Sequence, residues 1–257
     1  DPDADRVGAA VKNNEGEWVL LNGNQTALMF VYYLITRWKE LGKLQGKEYI
    51  VKTIVTTETI KATAEKNGVE MYDVYTGFKW IEGKKAYIGG GEESYGFLCE
   101  DFVRDKDAVS ACAILAEIAA WAKDQGLSMY SLLQKIYVEY GFSKEKGISV
   151  VKKGKSGAEE IEAMMKRFRE NPVAEIAGSK VVAFYDYATL KGQDYVENEV
   201  VTLDMPTTSN VLQYFTEDGT KISIRPSGTE PKIKFYFGIK GSDADAKNEV
   251  LRAQFSK

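Results

Sequence analysis

Apolar residues recur along this chain with two periods. From Asn24 to about Leu41 they fall at Leu28, Val31, Leu34, Ile35 and Trp38. Steps of three and four place them on one stripe of a helix, and Gly42 supplies its stop. Asp107 to about Lys123 and Ser128–Tyr140 repeat the helical pattern. Between these helices lie compact apolar runs that read as strands: Tyr49–Val55, Val69–Val74 and Lys85–Ile88. Thr57 or Thr59 is placed to cap a helix that ends at Asn67-Gly68. Val7–Val11 and Glu17–Leu21 are two further short strands. The βαβα succession predicts a mostly parallel sheet covered by helices.

The pattern changes after Gly141. Lys152 to Gly157 is basic and glycine-containing and reads as a linker or a hairpin tip. A helix over Gly157–Asn171 is ended by Pro172. Strand-like runs follow at Lys180–Tyr187, Ser209–Phe215, Lys221–Arg225 and Lys232–Ile239. EDGT at Glu217–Thr220 is a hairpin turn. A last helix, about Asp243 to Phe255, takes Ser242 as its cap. The expected fold is α/β: a mostly parallel βαβ sheet domain followed by a smaller α+β domain.

Composition narrows the function. Of the 257 residues 44% are hydrophobic and 28% charged, a globular balance, and the net charge is −4. There is no basic excess, so no nucleic-acid partner is expected. The most apolar helix, near 108–122, is interrupted by Glu117 and is too short and polar to span a membrane. Two cysteines, Cys99 and Cys112, form no disulfide framework, so the reducing cytoplasm is expected. The chain has no histidine. Catalysis would therefore fall to carboxylates, lysine, tyrosine, serine or arginine, and any metal would be a hard cation on oxygen ligands.

Three stretches carry candidate chemistry. DPDADR opens the chain. In an extended backbone alternate side chains share a face, so Asp1, Asp3 and Asp5 would converge and need a cation such as Mg²⁺. Arg6 adds a planar donor fork for a phosphate beside it. A solvated acidic terminus is the plain alternative. An EF-hand loop would need glycine sixth and glutamate twelfth, where Arg6 and Lys12 stand.

IGGGEESYGF follows, Ile88–Phe97. Its three glycines suit a sharp turn, and Glu92, Glu93 and Ser94 offer acceptors and a hydroxyl of the kind sugar hydroxyls need; a polar turn would look the same. Last, ISIRPSGTEPKIKFYF (Ile222–Phe237) sets Arg225, Ser227, Gly228 and Thr229 on a loop between two alternating strands. Guanidinium, hydroxyls and exposed backbone N–H groups make an anion-binding concavity suited to phosphate. GKS at 154–156 lacks the preceding glycine that a P-loop requires.

DPDADR, GEESYGF and RPSGTEPK, in that order, resemble the α-D-phosphohexomutases, the phosphoglucomutases and phosphomannomutases. LNGNQTALM (Leu21–Met29), KTIVTTE (Lys52–Glu58) and TGFKWI (Thr76–Ile81) extend the resemblance nearly end to end. That family has four domains around one cleft, and a phosphoserine in the first. The resemblance implies that 1–21 is a remnant of domain 2 with its metal loop. It makes 22–140 domain 3 with the sugar-binding loop, 141–156 a linker and 157–257 domain 4, the phosphate clamp.

By the same resemblance Asp1, Asp3 and Asp5 hold Mg²⁺, and Arg6 and Lys79 are the catalytic residues present. Gly91, Glu92, Glu93 and Ser94 bind the sugar. Arg225, Ser227, Gly228, Thr229 and Lys232 grip the phosphate that is not transferring. The implied reaction moves phosphoryl between the 1- and 6-positions of a hexose phosphate. It passes through the phosphoserine and a hexose 1,6-bisphosphate, which serves as intermediate and activator.

Two departures stand out. Many relatives have histidine after the sugar loop, where this chain has Phe97, so acid–base work would pass to Lys79, Arg6 or a residue elsewhere. No serine here has the catalytic context either. The chain is therefore expected to be the C-terminal part of a longer protein, inactive without the N-terminal domains. Two rival readings are a phosphosugar phosphatase, with Asp1 or Asp3 as nucleophile, and a non-catalytic phosphosugar-binding module.

Overall fold

The computed structural model describes residues 1–76, 86–101, 103, 105–152, 154–228, 230–241 and 243–255. They form two compact units, Asp1–Phe142 and Ser143–Lys257. No helix among the described residues is long and apolar enough to cross a membrane.

The first unit begins with an antiparallel ribbon, β1 (Ala9–Lys12) and β2 (Trp18–Leu21). Then come α1 (Gly23–Glu40), β3 (Tyr49–Thr53), α2 (Thr59–Lys66) and β4 (Glu70–Val74). β5 (Tyr87–Gly91), β6 (Phe97–Cys99), α3 (Ala108–Asp124) and α4 (Met129–Tyr140) complete it. The sheet order is β4-β3-β5-β6. β3 runs parallel to β4 and β5, and β6 turns back antiparallel on β5, so the expected parallel α/β sheet is present. One face packs on α1, whose Ala27–Ile35 stretch is wholly buried; Tyr49, Val51, Tyr87 and Leu98 form a smaller cluster.

The helix caps follow local chemistry. Asn22 accepts from the Gln25 N–H while Gln25 answers the Asn22 N–H, a capping box that starts α1. Asp107 and Ser128 cap α3 and α4 without the reciprocal bond: Asp107 accepts from the Val109 and Ser110 N–H groups and Ser128 from that of Ser131. The expected threonine cap on α2 is displaced by one residue: Glu58 takes the cap position without a side-chain cap bond, while Thr57 Oγ1 just before it accepts from the Thr59 N–H at 3.3 Å. The Glu58 carboxylate instead accepts from Lys52 Nζ at 2.9 Å.

The glycine run differs from expectation too. Gly89, Gly90 and Gly91 are strand residues of β5, not a turn after it. A Cβ on Gly91 would stand 2.6 Å from Ala27 Cβ, and one on Gly89 2.6 Å from Leu34 Cδ1. The glycines let α1 lie directly on the strand.

In the second unit a mainly antiparallel sheet has the order β11-β10-β9-β12-β13-β14-β7, with β8 on β9. In chain order its elements are β7 (Ser143–Val151), α5 (Gly154–Glu170), β8 (Glu175–Ile176), β9 (Ser179–Asp186) and β10 (Lys191–Asp194). β11 (Glu199–Thr202), β12 (Leu212–Thr216), β13 (Lys221–Pro226), β14 (Lys232–Lys240) and α6 (Ala244–Phe255) follow. α5 and α6 cover one face through Met165, Phe168, Leu251 and Phe255 against Phe235 and Phe237. This is the smaller α+β domain.

Most of the stretch expected to be a linker, 141–156, belongs to this unit: β7 pairs along β14 from Ser143↔Lys240 to Val151↔Lys232. As an edge strand it carries lysines and a glycine, which hide its alternation. The hairpin β10–β11 was not anticipated either; it is short, polar and at the opposite edge. Ser242, the expected cap of α6, lies outside the described residues.

Candidate functional site

The first unit gathers three segments. Asp1–Arg6 is a turn rather than the extended run expected: the Ala4 N–H donates to the Asp1 carbonyl at 3.0 Å, and Ala4 has φ +54°. The Asp1 carboxylate accepts from the backbone N–H groups of Asp5 (3.3 Å) and Arg6 (3.2 Å). The Arg6 guanidinium lies 3.9 Å from Asp1 and 3.7 Å from Asp5. The three aspartates thus do not converge by strand alternation. Among the described residues no group of three acidic, histidine or cysteine side chains is placed to hold a metal. The donor chemistry, all carboxylate oxygen with Asp5 Oδ1 buried and lacking a hydrogen-bond partner, is of the kind a hard cation takes, but the three carboxylates as placed do not form its site.

Two backbone bonds tie this turn down. Val7 N–H donates to the Tyr95 carbonyl (3.2 Å), and Ala108 N–H, at the start of α3, donates to the Ala4 carbonyl (2.9 Å). Lys106 joins the same place: its Nζ is 3.6 Å from Asp5, and its side chain is 14% exposed. Its stem passes over Gly96, where a Cβ would stand 2.2 Å from Lys106 Cδ and 2.7 Å from Glu92 Oε1. The sequence reading missed Lys106. A cation just ahead of a helix N-terminus opposes the helix dipole, and that mismatch was the available signal.

The acid loop is braced from behind. Glu92 is buried and accepts from Ser94 Oγ at 2.8 Å. Glu93 turns into a threonine pocket: its Oε2 accepts from Thr53 (3.0 Å) and Thr56 (3.3 Å). Burial, and then the Glu92 charge, raise its carboxyl above the ordinary glutamate value. Gly91 ends β5 beneath the loop. At Gly23 a Cβ would come 2.0 Å from the Glu93 carbonyl, so α1 begins against the loop backbone. Lys52, fully buried, holds Glu58 and Asp73 (2.6 Å) at the same end of β3. Lys79 lies outside the described residues.

The second unit carries the arginine loop. β13 delivers Arg225 and Pro226, and β14 leaves at Lys232. Ser227 N–H donates to the Lys232 carbonyl (2.8 Å), and Lys232 N–H to the Glu230 carbonyl (2.7 Å). Lys232 pairs with Glu230, whose carboxyl is held below the usual range by that bond and by the charges of Lys232 and Lys234. Gly228 has open space around it. Thr229 lies outside the described residues.

Arg225 stands directly opposite Lys234 across the two strands. Like charges in that position repel. Neither has an ion-pair partner among the described residues. Lys234 escaped the sequence reading because its place beside Arg225 is a matter of register. A cavity of 310 Å³ borders this loop, lined by Met165, Asn210, Ser227 and Lys232 among others.

With both sites in view, comparison with known proteins is decisive. Residues 22–140 match the family model described as phosphoglucomutase/phosphomannomutase, alpha/beta/alpha domain III, and residues 150–253 match the C-terminal domain of the same family. The chain belongs to the phosphoglucomutase/phosphomannomutase family. Phosphoglucomutase of Staphylococcus aureus strain MRSA252 is 37% identical over 260 residues, covering 98% of this chain and 46% of that protein. That of strain N315 is 38% identical over 267 residues, with the same coverage. The chain thus spans about half the length of the curated relatives it matches.

Among solved structures, parafusin of Paramecium, a phosphoglucomutase in its open form, aligns with a TM-score of 0.64 at 19% identity, over 98% of this chain and 43% of that one. A phosphoglucomutase/phosphomannomutase family protein of Burkholderia thailandensis aligns with a TM-score of 0.60 at 17% identity, over 98% and 44%. These likenesses show the fold.

Proposed function

We propose that this chain supplies the metal turn, the sugar loop and the phosphate clamp of a phosphohexomutase. The reaction moves phosphoryl between the 1- and 6-positions of a hexose phosphate through a hexose 1,6-bisphosphate. The observation that carries the reading is the excess of cations at the arginine loop: Arg225 stands opposite Lys234, and Lys232 and Lys234 share the single carboxylate of Glu230. A phosphate dianion relieves that repulsion.

Each residue then has a task. Arg225, Ser227, Gly228, Thr229 and Lys232 hold the phosphate that stays, with Lys232 exchanging Glu230 for it. Glu92 and Ser94 accept and donate to sugar hydroxyls, while Glu93 fixes the loop from below. Arg6 and Lys106, beside Asp5, orient the transferring phosphoryl, and Lys79 is the expected proton donor. When bound by Asp1, Asp3 and Asp5, Mg²⁺ supplies charge neutralisation at the phosphoryl group. The phosphoserine comes from N-terminal domains of the kind the relatives' other half would supply, so the chain by itself is inactive. The free cysteines Cys99 and Cys112 fit a cytoplasmic setting.

Calorimetric titration with glucose 1-phosphate tests the clamp. Saturable binding that weakens at least about tenfold in Arg225→Ala supports it, since bonds to charged groups contribute about 1.5–3 kcal/mol. Equal affinity in both proteins would sink the reading. Mutase turnover by the 257-residue chain alone would refute the need for further domains.

A further inference from the structure

Glu93 is an acid with no cation to answer it. Among the described residues no lysine or arginine pairs with it, whereas Asp1, Asp5, Glu58 and Asp73 of the same unit each have one. Its carboxyl turns inward, onto two buried threonines. Glu93 Oε2 lies 3.0 Å from Thr53 Oγ1 and 3.3 Å from Thr56 Oγ1, and the two hydroxyl oxygens are 2.7 Å apart. The backbone joins in, for Glu93 N–H donates to Thr56 Oγ1 at 3.2 Å.

Three oxygens thus form a ring whose three edges are all of hydrogen-bond length. An edge holds when one proton lies on it. A hydroxyl has one proton to give, so Thr53 and Thr56 fill two edges between them. With Glu93 ionised the third edge is bare. Either the hydroxyl oxygens face each other at 2.7 Å with no proton between them, or one threonine turns a lone pair to the carboxylate. With Glu93 as the neutral acid, its own O–H fills that edge and the ring closes.

The surroundings favour the neutral form. Burial, then the charge of Glu92 on the same loop, disfavours ionisation. The nearby cations are engaged elsewhere: Lys52 by Glu58 and Asp73, Lys106 by Asp5. α1 begins with the uncharged Gly23 and Asn24, and Asn24 Oδ1 accepts from the Thr57 N–H at 2.9 Å. We propose that Glu93 is a positioning residue whose proton, by closing the ring with Thr53 and Thr56, fastens the acid loop to the end of β3. Loss of that proton to solvent opens one edge and loosens the loop that carries Glu92 and Ser94. The lock depends on the fold; its effect on sugar binding rests on the phosphohexomutase reading.

Carbon-13 and nitrogen-15 spectra of the full chain follow the Glu93 carboxyl and the Ser94 and Gly96 amides against pH. The carboxyl should titrate above the ordinary glutamate value. Both amides should move along its curve in wild type and lose that step in Glu93→Gln. Glucose 1-phosphate affinity is taken as the ratio of wild type to Glu93→Gln, so that the ligand's own titration cancels. That ratio should fall about fivefold through the same step, the scale of one hydrogen bond. A carboxyl that titrates at or below the ordinary value overturns the proposal from wild type alone, however the variant folds. Amides that ignore the step overturn it too, as does bound glucose 1-phosphate with an affinity ratio that pH leaves constant. The expected carboxyl and amide steps in a chain that binds no glucose 1-phosphate at any pH support the lock and overturn the phosphohexomutase reading.

Discussion

The two units solve opposite electrostatic problems. In the first, charge is compensated from within. Arg6 and Lys106 answer Asp1 and Asp5, Lys52 answers Glu58 and Asp73, and two threonines hold Glu93. In the second, Arg225 and Lys234 face each other at the end of a hairpin, with Glu230 alone to answer Lys232 and Lys234. A compensated site is held together by packing and is sensitive to any change beneath it. A cation-rich site is held by strand register and, on the proposed function, is completed by an anion. Mutations beneath the acid loop of the first unit should therefore act mainly on stability, and mutations at the arginine loop of the second mainly on binding.

The largest expected effect is under the acid loop. Gly91→Val drives a side chain into Ala27 and should destabilise the first unit by about 3 kcal/mol, the upper range for overpacking. Two-phase denaturant unfolding, with the transition of the second unit unmoved, would show it; a shared shift would break the comparison.

Lys52→Met should follow, at about 2–3 kcal/mol, below the full penalty for breaking a buried pair because Glu58 and Asp73 are partly exposed. Burial alone would lower the Lys52 ammonium, but Asp73 and Glu58 outweigh it and hold the group above the ordinary lysine value. A folded-state pKa above the unfolded one gives stability that is complete below about pH 10 and lost as pH rises through the folded value. The gap between wild type and Lys52→Met should thus narrow in strong alkali.

Glu93→Gln has a smaller effect of opposite sign. The raised carboxyl favours the folded state while protonated, so wild type loses stability as pH rises from the acid range towards neutrality. Glutamine keeps the shape without the charge. Its stability relative to wild type should improve between pH 4 and 7, read from thermal midpoints; a widening deficit would mean Glu93 is ionised at little expense.

The smallest effect on folding belongs to Arg225→Ala, within about 0.5 kcal/mol of wild type as for a surface change, and in the stabilising direction because it relieves Lys234.

The same contrast explains what could be read in advance. α1, α3 and α4 were legible because apolar spacing is local, and the stretches expected from Asp107 and Ser128 begin at those two residues, which cap α3 and α4. The arginine loop was legible for the same reason: a hairpin writes its site in consecutive letters. Lys106 over Gly96, Glu93 in its threonine pocket and Lys234 beside Arg225 were not, since each depends on segments that meet only in the fold. The Asp1–Arg6 stretch was read as extended because nothing in its letters announces a left-handed Ala4. β7 was hidden by edge-strand lysines and Gly147, and the β5 glycines by a need for helix contact that no local pattern encodes.

The most direct measurement is a nitrogen-15 titration of the chain with inorganic phosphate, observed at the Arg225 guanidinium and the Gly228 amide. Both should shift together along one saturable curve, and Lys234→Ala should flatten it. Signals that stay fixed, or that move equally in Lys234→Ala, would contradict an anion site built on two facing cations.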